Sequence, residues 1–211
     1  MRRTTYRRWA MEWLAFLQKN RRLLAFLFLF FLGIGGGVWV FSFSSPALGH
    51  ELGKILEIPA VTGGFRGGVS VLFSSCFSTV LLLLILFLSG LWACGAPVTA
   101  LVPLFFGLGT GLTEAYYYSG GKAGLFTVAI LVIPHTVVAV ASLVMGCAES
   151  LRMSLLISGQ LLPSSANCGG LWQDFRLYGL RFLLFVGLAF GAGVLDVLMR
   201  LVWFSWIQPM T

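Results

Sequence analysis

The stretch GLWACGAPVTALVPLFFGLGTGLTEAYYYSGGKAGLFTVAILVIPHTVVAVASLVMGCAESLRMS, Gly90 to Ser154, decides the fold. It holds two apolar segments, Val98 to Tyr117 and Ala123 to Met145, joined by the polar link Tyr118-Ser119-Gly120-Gly121-Lys122. Each is long enough to cross a bilayer, because about 20 residues at a 1.5 Å rise span roughly 30 Å of hydrocarbon. The reading is a transmembrane hairpin. Pro97, Pro103, Gly107, Gly109, Gly111, Glu114, Pro134 and His135 are unusual in helices that face lipid. Such residues are tolerated at membrane depth where neighbouring helices or trapped water satisfy the polar groups, so the hairpin is expected at the centre of a bundle.

Working outward, the composition agrees. With 58% hydrophobic and 10% charged residues in 211, and a mean hydropathy of +0.94, the chain is too apolar for a soluble domain. No hydrophilic stretch is long enough to fold separately, which excludes a soluble catalytic domain and predicts a single membrane domain over 1–211. The net charge of +7 does not point to nucleic acid, because half of the Lys and Arg precede residue 23, immediately before an apolar run. That asymmetry is a topology signal. Cys76, Cys94, Cys147 and Cys168 stand singly, without C-x-x-C or a histidine at ligand spacing, and read as reduced thiols.

The predicted architecture is all-α: a polytopic bundle with five spans at about 23–43, 69–92, 98–117, 123–145 and 180–203. Residues 1–21 interleave Arg2, Arg3, Arg7, Arg8 and Lys19 with Tyr6, Trp9, Trp13 and Phe16 at helical spacing, the pattern of an interfacial helix on anionic membrane lipid. No convincing cleavage site follows, so the first span is expected to be retained. Between the first two spans, Leu48, Leu52, Ile55 and Leu56 share one face of a short amphipathic helix bounded by Pro46 and Pro59. Its His50 reads as polar surface. Trp172 to Arg181 reads as a second interfacial approach. With the amino end inside, ten basic residues fall on inner segments against four on outer ones (Lys54, Arg66, Lys122 and Arg200). This favours a cytoplasmic amino terminus and an extracytoplasmic carboxyl terminus.

Several residues stand out as candidates for packing or partner contact. Gly33 and Gly37, and Gly107 and Gly111, have G-x-x-x-G spacing, as do Gly187 and Gly191. Removing side-chain bulk lets helices approach closely, but 26 glycines produce such pairs by chance and a specific dimer does not follow, although a homo-oligomer is compatible. Glu114, beside Tyr116, Tyr117 and Tyr118, can reach headgroups, or it can face the bundle and contact a partner or an ion. His135, halfway along its span, is expected to bond a neighbouring helix, with a transported-proton site as the competing reading. Glu149 and Arg152, three apart, can pair on one face, and Asp196 and Arg200, four apart, can pair within the last span with Arg200 snorkelling outward. No H-E-x-x-H, no G-x-S-x-G and no carboxylate pair at a shared depth is present, so catalytic, cofactor and metal roles are not expected.

The order Pro97-Val98, Phe105-Phe106-Gly107, Gly111, Gly120-Gly121, Gly124, Pro134-His135, then Gly146-Cys147-Ala148-Glu149-Ser150-Leu151-Arg152 resembles the stage II sporulation protein M family of bacterial membrane proteins. The resemblance covers roughly Phe65 to Leu156, with support from Asn20-Arg21 before a first span containing Gly33 and Gly37. It implies a non-enzymatic scaffold of a sporulation-type engulfment complex in the bacterial cell membrane, anchoring peptidoglycan-remodelling hydrolases, a lytic transglycosylase and an amidase with endopeptidase activity. The chain departs from a Pro-His-Gly-x-x-Glu pattern common in the broader family, because Thr136 follows His135 and Ala139 stands at the glutamate position. With Ala139 there a His-Glu proton relay lacks its partner, and Ser74 and Ser75 replace second-span asparagines. A membrane subunit of a transporter, paired with a separate ABC-type ATPase, is the alternative, since glycine and proline interruptions suit broken helices lining a site.

Overall fold

The computed structural model describes residues 20–44, 65–93, 95–119, 121–160 and 171–202. The expected interfacial helix at 1–21 (all but its last two residues), the amphipathic helix after Pro46 and the carboxyl tail fall outside them. Five helical rods make up the described chain: α1 (Arg21–Phe43), α2 (Phe65–Gly90), α3 (Ala96–Ser119), a rod formed by α4 (Lys122–Thr127), a π-turn (Val128–Val132) and α5 (Ile133–Gln160), and finally α6 (Leu171–Val202). There is no strand among the described residues. Arg21–Phe43, Ala96–Ser119, Gly124–Gly159 and Trp172–Val202 are long and apolar enough to cross a membrane, while Cys76–Gly90 is a shorter apolar stretch of α2.

The surface has the polarity of a lipid-facing bundle. Phe28, Phe31, Trp39, Phe73, Phe105 and Leu183 are all more than half exposed. Helices apolar all round need either a large protein core or a bilayer around them, and 211 residues supply no such core.

The apolar run after Arg22 lacks any helix-breaking residue, and α1 starts where the Asn20 carbonyl accepts the Leu24 N–H at 3.1 Å. It ends where Ser44 turns extended. Phe26, Phe30, Gly33 and Gly37 form its buried stripe, at spacings of three and four that keep them on one face. In α3, Pro97 sits in the first turn, where its missing N–H interrupts no helical bond. Pro103 is wholly buried inside the same helix.

Half of the apolar window of the Gly124–Gly159 rod is buried, against 28% in α3 and 22% in α1. Thus the expected central hairpin is corrected. Only its second arm is central, and its first arm lies to one side, packed chiefly against α1. The reason is steric: the glycine faces of α1 and α3 fit each other more closely than either fits the branched surface of α5. A mixed core then joins Phe26 and Phe30 to Leu83, Leu86, Leu143, Cys147, Phe182 and Ala189.

Beyond Met145 the helix continues to Gln160, as the sequence after Gly146 reads. One boundary differs from the sequence reading: the interfacial approach at Trp172 is the first part of the continuous helix α6, because residues 172–181 hold no proline and no glycine pair that would end a helix at the membrane surface. Between α3 and α4 the chain reverses at Gly121, whose φ of 76° lies in the left-handed region that glycine occupies without strain. A side chain at Gly124 would strike the Tyr117 carbonyl. The turn is closed by backbone.

Candidate functional site

Two constructions hold the described bundle together, and between them they include six of the ten candidate residues. The first is the seam between α1 and α3. A Cβ built on Gly33 would lie 2.3 Å from the Leu104 carbonyl oxygen, and one on Gly37 would lie 2.4 Å from that of Leu108. Reciprocally, Gly107 would meet the Phe30 carbonyl at 2.2 Å and Gly111 that of Ile34 at 2.3 Å. Each glycine therefore receives a backbone carbonyl of the other helix where any side chain would stand. This is the close approach in which Cα–H groups contact carbonyl oxygens, with dispersion along the whole seam. By contrast Gly35, Gly36 and Gly109, on the same helices, have open space at the Cβ position. Only the glycines with the right facing interlock.

The second construction joins α2, α5 and α6 at the end where α2 stops. Ser150 Oγ donates to the Leu86 carbonyl at 2.7 Å, Tyr178 Oη to the Phe87 carbonyl at 2.9 Å, and Ser154 Oγ to the Trp92 carbonyl at 2.8 Å. Carbonyls in the last turn of a helix lack intrahelical donors, or share the few they have, and here hydroxyls from two other helices supply them. Ser89 and Ser150 hydroxyls lie 3.1 Å apart within the same cluster. Gly90 leaves room for the Tyr178 hydroxyl, which a Cβ there would meet at 2.2 Å. Gly146, one turn up from Ser150, is buried against Leu83 and Leu86.

Just beyond lies a charged recess lined by Glu149, Arg152, Met153, Leu156, Asp174, Leu177, Tyr178 and Arg181. The expected Glu149 and Arg152 pair is present at 3.6 Å. Glu149 also accepts a short hydrogen bond from Arg181, and Arg152 approaches Asp174 at 3.7 Å. Sequence reasoning missed Tyr178, Ser150, Ser154, Asp174 and Arg181 as members of one cluster. The available signal was faint: Tyr178 and Arg181 lie three apart on one face, as Ser150 and Ser154 lie four apart.

The remaining candidates stand apart. Pro97 is exposed at the start of α3. His135 Nδ1 lies 3.1 Å from the Leu131 carbonyl of its own rod, so the expected bond to a neighbouring helix is corrected. Pro134 next to it gives no N–H to the Ile130 carbonyl, beside the π-turn, whereas the carbonyl the imidazole meets is that of Leu131, one turn before the histidine itself. Glu114 is half-buried and forms no ion pair among the described residues. Asp196 is buried and accepts from Arg200 Nε at 3.0 Å, as its spacing predicts. The Arg200 side chain is only 17% exposed and its Nη1 has no hydrogen-bond partner among the described residues, so the outward snorkelling is corrected: the buried carboxylate holds the guanidinium inside. Gly187 and Gly191 have open space. Their neighbour Gly193 makes the close contact instead, against Cys76 of α2. Among the described residues no group of His, Cys, Asp or Glu could hold a metal ion.

Comparison with family models, with curated proteins and with solved structures finds no match.

Proposed function

We propose that the protein is a non-enzymatic helical membrane scaffold, of the kind implied by its resemblance to stage II sporulation protein M. In this reading it anchors extracytoplasmic cell-wall hydrolases, a lytic transglycosylase and an amidase or endopeptidase, at a bacterial septal membrane. The amino terminus is cytoplasmic, in accord with the bias of basic residues towards the segments on that side.

The observation that carries the proposal is the reciprocal glycine seam. Four carbonyls seated on four glycines fix α1 against α3 at backbone contact, and sliding either helix would drive those carbonyls into side chains. A close-packed interface of this kind has one arrangement, which suits a platform. Paired charges agree with it: Glu149, Asp174 and Asp196 each have an arginine partner within the chain.

A second reading, a transporter subunit working with an ABC-type ATPase, is favoured by the π-turn at Val128–Val132 before Pro134. It places irregular backbone in the most buried rod, where transporters form binding sites. A pull-down of the tagged full chain from its host in mild detergent separates the two. Recovery of a lytic transglycosylase or amidase is the expected result. Recovery of an ATP-binding cassette ATPase without either hydrolase would overturn the scaffold.

A further inference from the structure

The charged recess between α5 and α6 is more open than its ion pairs require. Arg152 and Asp174 are 44% and 40% exposed, and their approach of 3.7 Å is too long for a hydrogen bond. Arg152 stands 3.6 Å from Glu149, again beyond hydrogen-bonding distance, and neither Arg152 nor Asp174 is hydrogen-bonded to any described residue. A guanidinium has five N–H donors in a planar fork, and a carboxylate about four acceptor positions. Both residues therefore hold unused bonding capacity within reach of one small ligand. Glu149 differs, because it is committed to Arg181 by a short hydrogen bond.

The surroundings restrict what that ligand can be. Met153, Leu156 and Leu177 form apolar walls beside the charges, and the buried Tyr178 closes the floor. Trp172 and Phe175, two residues before and one residue after Asp174, stack at 6.1 Å, with Trp172 largely exposed, as aromatics at a membrane surface do. Depth agrees. At 1.5 Å per residue Arg152 lies about 42 Å along its rod from Gly124, beyond the roughly 30 Å of hydrocarbon and at headgroup level. The recess carries two arginines and two carboxylates, so it is neutral, its charges alternating from Arg181 through Glu149 and Arg152 to Asp174, with opposite charges side by side at its outer end.

We infer that this recess is a binding site for a zwitterionic aminophospholipid headgroup, its phosphate on the Arg152 fork and its primary ammonium on Asp174, with an acyl chain passing Leu177 towards the hydrocarbon. Arginine matches phosphate in a bidentate manner, and an ammonium supplies N–H donors to a carboxylate whose own ion pair is too long for a hydrogen bond. Phosphatidylcholine has the same charges, but its trimethylammonium has no N–H to donate. Phosphatidylglycerol has phosphate but no cation for Asp174.

The test is native mass spectrometry of the full chain in mild detergent with dioleoyl phosphatidylethanolamine, phosphatidylcholine or phosphatidylglycerol added singly. Bound phosphatidylethanolamine should exceed each of the others by about tenfold, the scale of one charge-assisted hydrogen bond. Asp174→Asn should lower phosphatidylethanolamine to the phosphatidylcholine level, and Arg152→Gln should lower all three. Arg176→Gln, on α6 but outside the recess, should leave the ranking unchanged. Equal retention of the three lipids, phosphatidylglycerol ranking first, or an unaltered ranking in Asp174→Asn would each overturn the proposal. The ranking in the unsubstituted chain decides the matter even if a variant folds poorly.

Discussion

The α1–α3 seam and the α2–α5–α6 end join helices by opposite means. In the seam the contact at the four interlocked glycines is backbone against backbone, at reciprocal positions. At the other end the helices are joined by side chains: two serine hydroxyls and a tyrosine hydroxyl bond carbonyls in the last turn of α2 and in the turn just past it, and two arginines meet two carboxylates beyond them. The difference follows depth. Where lipid surrounds the protein there is no hydrophobic drive between helices, so close packing of small residues has to supply the attraction. Near the surface a helix end exposes carbonyls that must find donors, and hydroxyls on long, apolar-bodied helices provide them.

The contrast makes graded predictions. Gly33→Val should be the most damaging, because the new side chain would enter the space of the Leu104 carbonyl and backbone cannot yield as a side-chain tip can. A loss of about 3 kcal/mol or more is expected, at the upper end of overpacking, read as loss of monodisperse protein in size-exclusion chromatography. Tyr178→Phe removes one donor from the Phe87 carbonyl while keeping the ring stack with Phe87 at 5.1 Å. Its expected cost is about 1 kcal/mol, seen as a modest fall in thermal midpoint. Glu149→Gln weakens two ion pairs at a partly exposed site, and its effect should stay below about 1 kcal/mol and shrink as salt is raised. If Glu149→Gln proved worse than Gly33→Val, the ranking of the two regions would be reversed.

Much of this architecture was legible in the chain itself, and what was not has a common cause. Apolar length announced the long helices, and fixed helical spacing announced both the Glu149–Arg152 and the Asp196–Arg200 pairs. Gly33, Gly37, Gly107 and Gly111 could be singled out, yet nothing in a one-dimensional pattern says that the two pairs face each other while Gly187 and Gly191 face outward. The polar cluster was harder still, because Ser150 and Tyr178 act on carbonyls 64 and 91 residues away. Serine in a membrane helix ordinarily bonds its own turn, as Ser142 does to Ala139. His135 was misassigned for a related reason: its ring meets the Leu131 carbonyl one turn back on its own rod, a local partner that spacing alone does not rank against a neighbouring helix.

The claim that the seam is an interlock, rather than a run of small residues, is tested most directly by two alanines on one helix. Gly107 and Gly109 are two residues apart in α3, share the same membrane depth, and lose the same helix-interior glycine penalty on substitution. A Cβ at Gly107 would stand 2.2 Å from the Phe30 carbonyl, while one at Gly109 would meet nothing within 4 Å. Thermal unfolding of both variants in one detergent should show a lowered midpoint for Gly107→Ala, and an unchanged or slightly raised midpoint for Gly109→Ala. Equal midpoints for the two would contradict the interlock.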